Sequence, residues 1–376
     1  MRGKATATFS RKLATLTTIM RGCRAAGNQY ATPPWRVWPR FLGLYGRRFS
    51  PREIFLWGLL DPDLGVEDLQ GYVSKENLLR FQRRYNPAGY ANLVEDKSVY
   101  YPLCEGVGLP TPRLLALFSG PSAWLADRGC FVASSGLLNQ VNRQSWDAFV
   151  MKPDKGVYGR GLCMVTSAGD GNWVDQSGDV FSENGFERYC NCYPGYCRYL
   201  LQERLHNHPE ISALTGVTTL QTVRVITVSA GDGRPGEVVL ANWRIAGDDS
   251  ITDNFDYGRG GNLLAEIDVV SGCVRRAVGP VPEHQGVCAI GEHPRTGAAL
   301  TGFRLPHWQE VREVVLAGTA HFAPLRLLGW DIAITQRGPV LIEANAWFDA
   351  GQNAFGNLPT LVERTKRINP GSKQNG

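Results

Sequence analysis

The sequence predicts an α+β protein. Two β-rich stretches and several helical ones carry that expectation. Residues 329–346, GWDIAITQRGPVLIEANA, alternate apolar and polar side chains on either side of Gln336, Arg337, Gly338 and Pro339, the pattern of a hairpin. Residues 218–228, TTLQTVRVITV, form a β-branched run of strand length. Apolar residues recur at helical spacing over 74–85 and 308–328 instead.

Taken in order, the chain begins with an uneven charge. Its first 52 residues hold eleven Lys or Arg and no Asp or Glu, yet the whole chain of 376 residues carries a formal charge of only +5. The remainder is therefore net acidic. Pro33, Pro34 and Pro39 interrupt helix formation, so residues 1–50 are expected to be a basic arm, poorly ordered or lying on the surface. Such an arm could meet nucleic acid, an anionic membrane surface or an anionic substrate. The plainer expectation is an extension without a partner, and no nucleic acid is expected.

No apolar run approaches the ~20 residues of a membrane helix. The N-terminus lacks the apolar core of a signal peptide. Nine scattered cysteines fit reduced thiols better than a disulfide framework, so the expected location is cytoplasmic. Cys190, Cys192 and Cys197, with His206 and His208 after them, are the one cluster. An insertion loop over 168–197 is the expectation there, with a zinc site as the alternative, because no paired C-x-x-C knuckle is present.

Ser50, Pro51 and Glu53 can cap a helix carrying Ile54, Phe55, Trp57, Leu59 and Leu60. A second helix spans 74–85. A short helix with Lys97 near its start then leads through GVGLPTP into a strand. In FVMKPDKGVYGRGLC, residues 149–163, a strand delivers Lys152 to a loop with Gly156, Gly159, Arg160 and Gly161, and a second strand returns. Glycines let backbone N–H groups close over an anion, and Lys152 and Arg160 add charge. The arrangement is strand–loop–strand without a G-K-[ST] ending, so it is neither a Walker A loop nor a Rossmann fingerprint.

The strand 199–205 carries Gln202, Glu203 and Leu205. HNHPEISAL opens a helix with Glu210 in it. Arg224 stands inside a β-branched strand, where it either faces outward or points at an anion. A strand over 238–245 ends near Arg244. A loop with Asn254 precedes another strand at 263–269. Residues 279–305, with His284 and His293, are expected to wrap the surface, and the residues after Leu361 to be a disordered tail. In the hairpin, Glu343 and Asn345 emerge on one face with Asp331 opposite. That hard, oxygen-only donor set suits magnesium held partly by phosphate.

The ordered set Lys97, Lys152 with its glycine hairpin, Gln202–Glu203, Arg224, and Asp331, Glu343 and Asn345 resembles the ATP-grasp superfamily. The strings HNHPEISAL, TTLQTVRVITV, ITDNFDYGRGG, GEHPRTG, GWDIAIT and LIEANA resemble its sugar-transfer-associated branch, over roughly residues 90–360. The resemblance implies two α+β subdomains with antiparallel sheets gripping ATP: residues 111–205 with lid and hinge, and 206–365 with the metal and substrate site. A helical region at 51–110 precedes them and a flexible tail, 366–376, follows. It also implies roles. Lys97 and Lys152 would meet the nucleotide phosphates, and Gly156, Gly159, Arg160 and Gly161 would form the lid. Gln202, Glu203 and Leu205 would face adenine, and Glu210 the ribose. Asp331, Glu343 and Asn345 would hold magnesium as two ions, while Arg224, Arg244 and Asn254 would hold the transferred phosphoryl group or the substrate. His293 matches the branch without an assigned role.

The implied activity is an ATP-dependent carboxylate–amine ligase working through an acyl phosphate. A kinase on the same scaffold and a non-catalytic nucleotide-binding module are the alternatives. Its partners would be small-molecule or peptide carboxylates and amines. The oligomeric state stays open, a homodimer being one option.

Overall fold

A computed structural model describes the backbone of residues 2–370, except 145, 157, 158, 250, 283, 285 and 350, and the side chains of those residues from 15 onward, except 352. Its strands form two seven-stranded sheets in which every pairing is antiparallel. The α+β expectation with antiparallel sheets therefore holds.

The first sheet contains β1 (Leu114–Ser119), β2 (Ser122–Leu125), β3 (Cys130–Ala133), β4 (Ala148–Pro153), β5 (Cys163–Gly169), β6 (Asn172–Asp175) and β7 (Tyr199–Glu203). They lie in the order β3-β2-β1-β7-β4-β5-β6. The second contains β8 (Thr222–Val228), β9 (Glu237–Ile245), β10 (Leu263–Ile267), β11 (Val274–Pro280), β12 (Val287–Ile290), β13 (Leu327–Thr335) and β14 (Gly338–Asn345). Their order is β12-β11-β10-β9-β8-β13-β14. Alternation along the strands sorts this second sheet into two faces. Val223, Val225, Trp243, Trp330 and Ile332 pack with Val311 and Val315 of the helix Trp308–His321 in one buried core. The opposite face carries Arg224, Arg244 and Asp331, with Glu343 of the edge strand β14 beside Asp331 and Leu264 of β10 beside Arg244.

The N-terminal fifty residues depart from expectation. They form two long helices, Arg2–Gln29 and Pro34–Gly46, rather than an unstructured arm. Pro34 occupies the first turn, where a missing N–H costs nothing, and Pro39 sits inside the helix with its ring exposed. Tertiary burial outweighs the proline penalty: Val37, Phe41 and Leu44 pack with Cys23, Ala26, Phe55 and Leu59. Gly22 permits this approach, because a Cβ there would lie 2.3 Å from the Phe55 ring. The same cluster includes Leu264 of β10 and Val278 of β11. The N-terminal helices thus cover one end of the sheet face that carries Arg224.

Four other expectations are corrected. Residues 168–197 are not a plain loop. They supply β6 and the helix Gly185–Cys192, and Trp173, Phe181, Phe186 and Tyr189 complete the core of the first sheet. Cys190 is buried while Cys192 and Cys197 are exposed, and among the described residues no three His, Cys, Asp or Glu side chains gather as a metal site. Residues 279–305 do not merely wrap the surface, since they contribute the end of β11 and all of β12. The 308–328 helix stops at His321, because Leu327 already belongs to β13. At the C-terminus a helix, Leu358–Ile368, buries Leu358, Leu361 and Thr365, so order persists beyond Leu361. Residues 371–376 of the expected tail lie outside the described residues.

Candidate active site

A cavity of about 880 Å³ is lined by strands of both sheets and by Ser50, Arg52, Glu53, Trp57 and Lys75, which follow the two N-terminal helices. Strand register builds its centre. Asp331 on β13 lies directly opposite Arg224 on β8 and Glu343 on β14. Arg224 grips the Asp331 carboxylate with both Nε and Nη2, the latter at 2.7 Å, and Arg244 Nη1 donates to it at 3.1 Å. Asp331 is 2% exposed and Arg224 8%, so each needs the other to offset lost hydration. Arg224 therefore does not face outward. Burial pushes the Asp331 carboxyl up, against the pull of the two guanidiniums.

Lys97 opens the helix Lys97–Gly106, capped by Asp96. Its Nζ lies 3.3 Å from Glu343 and donates to the Gly156 carbonyl at 3.0 Å. Burial works to raise the Glu343 carboxyl, but Lys97 and the nearby arginines outweigh it and hold it well below the usual carboxylate range. Asn345 Nδ2 donates to Glu343 at 3.3 Å. Two residues escaped the sequence reading here. Glu95, two positions before Lys97, accepts the Ala346 N–H at 2.8 Å and lines the cavity. Tyr101, one helical turn after Lys97, donates to the Ile342 carbonyl at 2.7 Å and accepts from Lys152 at 2.6 Å.

Lys152 is buried at the end of β4. Burial and the neighbouring Lys97 bring its pKa down to about 7. The unfolded chain keeps that proton up to the ordinary lysine range, so between about 7 and 10.5 it binds more protons than the folded chain. The burial cost is thus complete below pH 7 and fades as pH rises. Lys152→Met is expected to stabilise the ligand-free protein by on the order of 4 kcal/mol at pH 6 and by less at pH 9. Thermal melts at the two pH values check this; equal gains would contradict it.

At one end of the cavity Val150, Leu162, Met164, Leu205, Leu220 and Ile342 line an apolar slot. Gln202 sits beside it with a side-chain oxygen that is buried and has no hydrogen-bond partner among the described residues. A buried acceptor without a donor next to an apolar slot suits a flat heteroaromatic ligand that brings N–H groups. Glu203 also lines the cavity and accepts from Arg337 at 3.2 Å. In the glycine loop, Gly159 and Gly161 have positive φ, which glycine adopts freely. Gly156, Gly159 and Arg160 line the cavity, whereas Gly161 is buried behind it, its carbonyl accepting from Tyr189. Val157 and Tyr158 lie outside the described residues.

Glu210 is not brought to this cavity. It stands on the helix Pro209–Thr215, beside Arg304 and His307 in a separate shallow pocket. His293 is buried elsewhere, with its ring bonded to the Ala246 carbonyl at 2.9 Å, a structural role. Asn254 does line the cavity, but its neighbour Asp253 has the tighter connection. Asp253 accepts from the Thr222 N–H and hydroxyl, both at 2.6 Å, and burial lifts its pKa to about 6. Both lie in ITDNFDYGRGG, so the motif marked the loop and not the residue.

The far end of the cavity was not legible in sequence. Arg52, Trp57 and Lys75 from the N-terminal region meet Asp256, Tyr257 and Asp349 there. Arg52 pairs with Asp256 at 2.9 Å, Lys75 with Asp349 at 2.5 Å, and the Trp57 and Tyr257 rings meet at 4.7 Å. Asp256 and Tyr257 both hold left-handed φ values, of 33° and 61°. Non-glycine residues pay for that conformation, and it concentrates at ligand sites.

The central donors fit a hard divalent cation. Asp331, Glu343 and Asn345 offer only oxygen among their acceptors, and carboxylates already bonded to a cation keep further lone pairs.

The family model described as sugar-transfer associated ATP-grasp matches residues 77–370. A search of curated proteins found no match. Among solved structures, the D-alanine–D-alanine ligase from Coxiella burnetii is similar at 9% identity and TM-score 0.42, over 75% of this chain and 59% of that one. A biotin carboxylase from Campylobacter jejuni, in complex with β-γ-ATP, has 11% identity and TM-score 0.42, over 75% of this chain and 48% of that one. A RimK domain ATP-grasp protein from Sphaerobacter thermophilus has 12% identity and TM-score 0.40, over 76% and 70%. The chain spans less than two thirds of the length of the first two.

Proposed function

This chain belongs to the sugar-transfer associated ATP-grasp family, and on that premise we propose that it is an ATP-dependent carboxylate–amine ligase. The observation that carries the reading is the convergence of Lys97, Lys152, Arg224, Arg244, Asp331, Glu343 and Asn345 on one cavity with an apolar slot at one end.

In this reading adenine fills the slot beside Gln202, and the phosphates run toward Lys152, Lys97 and the glycine loop. Asp331, Glu343 and Asn345 would hold magnesium, which offsets charge on the β- and γ-phosphates. A substrate carboxylate oxygen attacks the γ-phosphorus and ADP leaves with the electrons of the broken P–O bond. Arg224 and Arg244 neutralise the transferred group; a guanidinium does so as a planar fork that stays protonated. The amine then attacks the carbonyl carbon of the acyl phosphate. An amide forms, the amine gives up a proton, and inorganic phosphate departs with the C–O electrons. Closure of the glycine loop keeps water from the acyl phosphate. The amine would enter at the far end, between Arg52, Trp57, Lys75, Tyr257 and Asp349.

The test is an ADP-release screen with pooled carboxylates and amines, followed by product mass spectrometry. Release that needs both pools, and a product one water lighter than their sum, supports the ligase. A stable phosphorylated product formed without any amine would identify a kinase and overturn the reading.

A further inference from the structure

The helix Pro34–Gly46 is apolar on both sides. Val37, Phe41 and Leu44 point into the core. The opposite side should carry charge in a helix that faces water. Instead its exposed residues include Trp35, Pro39, Leu42 and Tyr45, with Arg36 the one charged side chain among them. Trp35 is 74% exposed, Leu42 61% and Tyr45 55%. On the preceding helix, Leu16 and Met20 are exposed as well. Five of the twelve large apolar side chains exposed among the described residues therefore fall within residues 16–45, a segment that contains no acidic residue. That is clustering, not the scatter of single apolar residues normal on a surface.

The charge carried by these two helices has one sign. Arg21, Arg24 and Arg36 are exposed and engage no acidic side chain among the described residues. Arginines elsewhere commonly do: Arg48 pairs with Glu76, Arg52 with Asp256 and Arg276 with Glu266. Tryptophan and tyrosine favour the boundary between water and hydrocarbon, and unpaired arginines favour anionic headgroups. At 13 residues the helix is too short to cross a bilayer, and no helix among the described residues is long and apolar enough to do so. It suits lying in the interface. A nucleic-acid phosphate backbone would call for cations, not Trp35 and Leu42, at the centre of the face.

We propose that the exposed side of Pro34–Gly46 docks this protein on an anionic phospholipid surface, with Trp35, Leu42 and Tyr45 entering the headgroup boundary and Arg21, Arg24 and Arg36 meeting the lipid charge. None of these residues lines the cavity, so the inference stands apart from the ligase reading. The test is flotation of the full chain with vesicles of phosphatidylcholine alone or mixed with phosphatidylglycerol. The chain floats with the mixed vesicles, floats poorly with phosphatidylcholine alone, and is released by salt. The pair Trp35→Ser and Leu42→Ser lowers affinity for the mixed vesicles on the order of a hundred-fold, with an unchanged thermal melt because both side chains are exposed. Failure of the wild-type chain to float with mixed vesicles overturns the proposal. So does flotation that the double variant does not weaken. A concentration-dependent dimer that the double variant abolishes, without any vesicle binding, would assign the face to a second copy instead.

Discussion

Glu343→Gln is expected to lower ATP turnover on the order of a thousand-fold while leaving the fold intact. The substitution keeps the size of a side chain that sits opposite Asp331 and 3.3 Å from Lys97, but removes its charge. Lys97 then loses its anion, and the donor set loses one of its two carboxylates. Because Glu343 is only partly buried, packing changes little. ADP release measured beside a thermal melt separates the two effects. Turnover within a few-fold of wild type would remove Glu343 from the proposed site.

The second large effect is on stability. Arg224→Met leaves the buried Asp331 carboxylate with Arg244 as its one remaining guanidinium. Breaking a buried ion pair from one side costs about 3–5 kcal/mol, because the remaining charge keeps its desolvation penalty. Urea unfolding should show a loss of that size. Replacing both partners, Arg224→Met with Asp331→Leu, should recover most of it, since two apolar side chains remove the buried charges together. Neither variant should turn over ATP. A single variant as stable as wild type would mean that the pair is solvated, against its burial.

These two predictions rest on parts of the molecule that differ in how legible they were. The hairpin could be read because its period-two alternation and turn residues act locally, and register then follows from the turn. Arg224 was ambiguous alone, since a charge within a strand faces out or pairs inward. Only the β8–β13 register, between strands about a hundred residues apart, decides for Asp331. Glu210 fails for the converse reason: its local spacing suggested a ligand, but the helix it belongs to turns it toward Arg304 and away from the cavity.

The largest miss was the N-terminus. Basic composition and three prolines argued for an arm, yet burial of Val37, Phe41 and Leu44 against Phe55 and Leu59 outweighs local propensity. That packing carries Arg52 and Trp57 to the cavity, some two hundred residues from Asp256 and Tyr257 in sequence. No local pattern encodes such a meeting. Aromatic residues likewise hid a core element among the Gly, Asn and Ser of 168–197, where composition suggested a loop.

In the proposed reaction a carboxylate is phosphorylated before an amine displaces the phosphate. Its most direct test supplies the reactive carboxylate labelled with ¹⁸O on both oxygens, together with ATP, magnesium and amine. The inorganic phosphate released should carry one ¹⁸O, taken from the carboxylate as the amide forms. Unlabelled phosphate accompanying amide product would contradict it.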